Sequence, residues 1–140
     1  MLLLFSLLHE AGHFAALFAV GGRAKAFTLS FYGAALTYDS FLSRAQECIV
    51  AAAGPAVNFA LYIVLKDEVN LFLFVLNLIP VFPLDGGRIC ALLLPKLYVY
   101  IGLAVTAAVL ALSVYMLLSY GSFSPLLISA YLLISNLRSL

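Results

Sequence analysis

The sequence predicts an all-α membrane protein, a polytopic bundle of about five transmembrane helices with a short β-hairpin at the membrane face. Three observations carry that expectation. Of 140 residues, 66% are hydrophobic and 9% charged, at a mean hydropathy of +1.17, whereas a soluble domain is about one-quarter charged. The apolar residues gather in runs near the roughly 20 needed to cross the hydrocarbon as a helix. One stretch departs from this: Phe27, Leu29 and Phe31 alternate with Thr28, Ser30 and Tyr32 before Gly33, the period of a strand. The same composition excludes a disordered tail and a coiled coil. A net charge of +1 leaves no basic stripe to neutralise phosphates, so nucleic acid is excluded as a partner and the lipid bilayer is the expected surroundings.

Taken in order, Leu2 to Val20 is the first spanning helix, ended by Gly21-Gly22. No basic residue precedes it and no small-residue cleavage site follows, so it reads as a retained segment and not a signal peptide. Residues 23–43 hold the hairpin, with Lys25 to Tyr38 as a sheet edge to which an extended peptide could add a strand. The second helix runs from about Arg44 to Leu65. Its Ala51-Ala52-Ala53-Gly54 stretch lets a neighbouring backbone approach, and Pro55 should bend it. After the polar turn Lys66-Asp67-Glu68, the run Val69 to Ile79 is too short to span. Pro80 and Pro83 interrupt it, and the helix resumes near Gly86 and ends at Pro95. The fourth helix covers about Leu97 to Tyr120; the fifth, about Ser124 to Leu137, follows the turn Gly121-Ser122. No repeat or linker divides residues 1–140, which read as one domain. If the first helix ends in the cytoplasm, Arg23, Lys25, Arg44, Arg88, Lys96 and Arg138 lie inside and Lys66 outside, as the positive-inside rule asks. Met1 then starts outside, which leads to the expectation of a transmembrane helix upstream of this chain.

The chemistry-bearing residues cluster in the first helix. The two histidines of the sequence, His9 and His13, are four apart and share a helix face, with Glu10 between them. This is HExxH, in which two imidazoles ligate zinc and the glutamate reaches water at the open coordination position as general base. Buried imidazoles and a carboxylate at bilayer depth are costly without a role. Two histidines leave the set short of a third ligand. Asp39, Glu47, Asp67 and Glu68 are carboxylates in the connecting segments or near a helix start, and Cys48 or Cys90 could serve chemically. The cysteines form no CxxC pair and read as buried thiols. Asp85 stands out because it lies where two prolines break a helix, and irregular backbone at membrane depth is tolerated where it lines a cavity or is buried. A plain N-cap of the resumed helix is the alternative for Asp85.

Three stretches, in order, carry a resemblance: His9-Glu10-Ala11-Gly12-His13, Ala53-Gly54-Pro55-Ala56-Val57-Asn58, and Asn77-Leu78-Ile79-Pro80-Val81-Phe82-Pro83-Leu84-Asp85-Gly86-Gly87. Together they resemble the motifs of the site-2 protease family of intramembrane zinc metalloproteases, over residues 2–95. The short chain is similar to the compact bacterial branch that contains stage IV sporulation protein FB. What the resemblance implies is zinc (Zn2+) held by His9, His13 and Asp85, Glu10 as general base, and Asn58 and Asn77 positioning substrate. It further implies a multi-pass protein of a bacterial cell membrane that hydrolyses a membrane-associated protein substrate, a sigma-factor precursor in the sporulation branch, under regulatory membrane proteins. Two departures stand against it: the family's helix before the HExxH helix is absent, and nothing near Leu140 resembles a CBS domain.

Rival classes make different demands on the same residues. A catalytically inactive metal-binding membrane protein would close its zinc with four ligands, and three are evident. A metal transporter needs polar residues along a through-path, and the last two helices offer few. An intramembrane aspartyl protease would need a GxGD before Asp85, and a haem cannot take both axial ligands from one helix face.

Overall fold

The computed structural model describes residues 1–30, 33–38 and 42–138. The element order is α1 (Leu2–Ala19), β1 (Ala24–Ser30), β2 (Gly33–Tyr38), α2 (Arg44–Leu65), α3 (Glu68–Asn77), α4 (Asp85–Leu93), α5 (Tyr98–Tyr120) and α6 (Ser124–Arg138). Two compact units divide the chain, Met1–Asn77 and Leu78–Leu140.

In the first unit α1, α2 and α3 pack side by side. Ser43 caps α2 in a reciprocal box: its hydroxyl accepts from the Gln46 amide, and the Gln46 side chain accepts from the Ser43 amide at 2.9 Å. The Gln46 Nε2 also donates to the Val20 carbonyl at 3.2 Å, tying the start of α2 to the end of α1. The helices meet closely at Gly12, where an added Cβ would lie 2.7 Å from Val57 Cγ2 and 3.0 Å from the Ala53 carbonyl oxygen. The Lys66 turn is left-handed, and Asp67 Oδ1 accepts from the Val69 amide at 2.9 Å, opening α3. Phe59 and Phe74 pack ring against ring between α2 and α3. Strands β1 and β2 pair antiparallel from Ala24↔Tyr38 to Ser30↔Gly33, with an irregularity between Ala24 and Ala26, and β2 lies against α1. Residues 31 and 32, and Asp39, lie outside the described residues.

In the second unit Leu78–Leu84 is an irregular segment with a cis Phe82–Pro83 bond, and α4 begins at Asp85, one residue before the expected Gly86. Helices α5 and α6 pair through small and polar groups: Ser113 Oγ donates to the Val109 and Pro125 carbonyls, and Gly102 faces the Asn136 amide.

The burial pattern is inverted relative to a water-soluble protein. Buried groups include His9, His13, Asn58, Asn70, Asp85 and Thr106, while large apolar side chains such as Leu3, Val64 and Leu118 stand exposed, the last at 81%. Apolar surface on this scale needs a nonaqueous neighbour. Three helices, α1, α2 and α5, are long and apolar enough to cross a membrane. Five spanning helices are not shown: three are of that length among the described residues. The third helix is broken into α3 and α4 as expected, and α6, with 15 residues, is shorter than the roughly 20 that a span takes.

Candidate metal centre

His9 and His13 stand one turn apart on the face of α1 that packs on α2, and both are buried. Their rings meet edge-on at 83°, and the two Nε2 atoms are 3.1 Å apart. His13 Nδ1 lies 2.7 Å from the Val50 carbonyl oxygen of α2. A carbonyl only accepts, so this nitrogen carries the hydrogen and Nε2 keeps its lone pair. Pro55 shapes the helix here: lacking an N–H, it removes the bond to the Ala51 carbonyl and loosens the ladder beside Val50.

Directly opposite the two Nε2 atoms is Gly54. A Cβ at that position would lie 2.6 Å from His9 Nε2, with His13 Nε2 closer still. The glycine therefore lets the α2 backbone lie directly against the two imidazole nitrogens, with no room there for a side chain. Two zinc–nitrogen bonds of about 2.0 to 2.1 Å at a tetrahedral angle separate their nitrogens by about 3.3 Å, close to the distance found. The donor set and its nitrogen spacing fit a zinc ion.

Asn58, one turn beyond Gly54 on α2, is fully buried and places Nδ2 3.0 Å from His9 Nδ1. Glu10 is half-buried on α1 beside His9. Asn77, at the end of α3, donates from Nδ2 to the Leu73 carbonyl of its own helix at 3.0 Å. Asp85 belongs to the second unit. Leu84 is the N-cap of α4, with extended backbone, so Asp85 is the first helical residue and its buried carboxylate sits in the turn where the helix dipole favours an anion.

The other weighed ligands divide. Asp67 caps α3 and Glu47 lies in the first turn of α2. Cys48 and Cys90 are free thiols, half-buried where the sequence suggested burial. Two contributors escaped the sequence reading, the Val50 carbonyl and Gly54. The available signal was the spacing Gly54-x-x-x-Asn58, which puts a small residue and an amide on one helix face.

No family model matches the chain. A zinc metalloprotease of Methanocaldococcus jannaschii is 32% identical over 113 residues, covering 67% of this chain and 33% of the relative. A second relative, from Synechocystis sp., is 33% identical over 101 residues, covering 58% of this chain and 27% of its own. The chain thus spans about a third or less of the length of the curated relatives it matches. Among solved structures, the site-2 protease from Methanocaldococcus jannaschii aligns with a TM-score of 0.71 at 26% identity, over 98% of this chain and 74% of that one. These relatives support the site-2 protease family and, with the three apolar helices, a membrane protein.

Proposed function

We propose that this chain is an intramembrane zinc metalloprotease that hydrolyses a peptide bond in or near the membrane segment of a protein substrate. The observation that supports it best is the buried His9–His13 pair, with Nε2 atoms 3.1 Å apart and packed against Gly54, on an apolar helix that also carries Glu10.

With Asp85 as the third ligand that the motif resemblance implies, His9 and His13 would hold the zinc, and three protein ligands would leave one coordination position open, as catalytic sites do. When bound, zinc supplies a Lewis acid that polarises the scissile carbonyl and makes water more acidic. Glu10 accepts the proton of the attacking water at its carboxylate and returns it to the departing amide nitrogen. Val50 and the α1–α2 contact at Gly12 hold the imidazoles in place while this happens. Asn77 is proposed to position the substrate backbone. The substrate is proposed to be a membrane-associated protein, with regulatory membrane proteins as further partners in a multi-pass bacterial setting. A sigma-factor precursor rests on the sporulation-branch resemblance.

Metal content and one variant test the proposal. The purified chain in detergent should hold one zinc, which Asp85→Ala loses. Glu10→Gln should keep the zinc and cleave transmembrane model peptides about a hundredfold more slowly or worse, the usual scale of general acid–base catalysis. A wild-type chain without zinc, or zinc-loaded Glu10→Gln cleaving at the wild-type rate, would falsify it.

A further inference from the structure

The placement of the Asn58 amide sets the direction of the hydrogen bonds around His9. His13 Nδ1–H donates to Val50 at 2.7 Å, so His13 Nε2 is an acceptor, 3.1 Å from His9 Nε2. On the other side of His9, the Asn58 amide nitrogen, which can only donate, stands 3.0 Å from Nδ1. With the amide nitrogen toward the ring, Asn58 donates to His9 Nδ1, and His9 donates from Nε2 to His13. One atom is left over: Asn58 Oδ1 is buried and has no hydrogen-bond partner.

A metal demands the opposite arrangement. For both histidines to ligate through Nε2, His9 must carry its hydrogen on Nδ1, and that hydrogen needs an acceptor. The amide of Asn58 supplies one if it turns over, because its oxygen and nitrogen have nearly the same shape and exchange places by a half-turn. The unpartnered Oδ1 then accepts from His9 Nδ1, matching the bond that Val50 already makes to His13.

We propose that Asn58 is a positioning residue that sets the tautomer of His9. Its amide nitrogen toward the ring holds the hydrogen on Nε2, and its amide oxygen toward the ring holds it on Nδ1 and frees Nε2 for the metal. No net proton is gained or lost: it leaves one ring nitrogen as the other takes one up. The inference rests on the zinc reading of the site and assigns Asn58 to the ligand, where the sequence assigned it to the substrate.

The test uses the full chain in detergent micelles with 15N-labelled histidine, read by NMR, alongside zinc affinity from chelator competition. His9 in the wild type should carry its hydrogen on Nε2 without zinc and on Nδ1 with it. Asn58→Leu should lose about 10- to 100-fold in zinc affinity, the usual effect of removing a ligand's hydrogen-bond partner. Asn58→Asp, which when ionised can only accept, should bind zinc at least as tightly as wild type and show the Nδ1 tautomer with or without it. Equal zinc affinity in the wild type and Asn58→Leu, or a His9 tautomer indifferent to both zinc and Asn58→Asp, overturns the role of Asn58 while leaving the zinc site standing. A wild type that takes up no zinc overturns both.

Discussion

Gly54→Ala adds a single methyl to the molecule, at the point where it is least able to accept one. The new Cβ would lie 2.6 Å from His9 Nε2 and from His13 Cε1, against an ordinary contact distance of 3.4 Å or more. The rings must therefore retreat by about 1 Å, several times the roughly 0.2 Å tolerance of a metal–ligand bond. Neither ring is free to do so without loss, since His13 is anchored to Val50 and His9 stands against Asn58. Separating the helices instead would undo the Gly12 contact one turn away. Overpacking of this kind costs about 1 to 3 kcal/mol, which is about 5- to 150-fold in a dissociation constant if the site bears it. Chelator competition on the purified variant reads that loss, and circular dichroism checks that helix content is unchanged. Ala52→Leu, two residues away on an exposed position, is the control and should bind zinc as the wild type does. A folded Gly54→Ala chain whose zinc affinity stays within twofold of wild type would refute the placement of the ion between the two imidazoles.

Other perturbations probe different elements. Asn77→Ala should slow peptide cleavage and leave zinc content intact, since its amide nitrogen bonds within α3; loss of zinc would make it part of the metal site. Thr28→Pro places a residue without an N–H in β1 and should impair cleavage with zinc binding unchanged if the substrate adds to this sheet, whereas unaltered cleavage would reduce the hairpin to a tether. Asn70 is fully buried with neither side-chain polar atom hydrogen-bonded, so Asn70→Leu should raise the thermal stability of the chain in detergent by about 1 to 3 kcal/mol. A fall in stability would show that the amide has a partner, such as internal water.

The helix carrying HExxH was legible because its signals are local: an unbroken apolar run, an i, i+4 histidine pair and a double glycine at its end. It forms as Leu2–Ala19, within a residue of expectation. Arg44 to Leu65 was equally plain, and so was the break at the prolines. What the sequence could not provide is the register between helices. That Val50 faces His13, and that Gly54 and not Ala53 lies over the two nitrogens, depends on how α1 and α2 slide against each other. Four small residues in a row are compatible with several offsets. The last helix forms over Ser124–Arg138, after the left-handed turn at Gly121 as the sequence suggested, but its 15 residues are fewer than the roughly 20 that a span takes.

The surroundings of the histidines explain how they can be buried at all. An imidazolium at low dielectric would pay heavily for its charge, whereas a neutral ring with a partner for each nitrogen pays little. Val50 and Asn58 provide such partners from a single helix face, and Gly54 between them keeps the backbone close enough to do so. Both imidazoles are thereby aimed at one point by the packing of α1 on α2. Replacing the Val50 side chain should matter little by this logic, because the bond is made by its backbone. Val50→Ala is therefore expected to leave zinc affinity within a few-fold of wild type despite the complete burial of Val50, at a cost in stability of about 1 to 3 kcal/mol from the lost methyl groups. A collapse of zinc binding in a folded Val50→Ala chain would mean that side-chain packing, and not the carbonyl, aims His13.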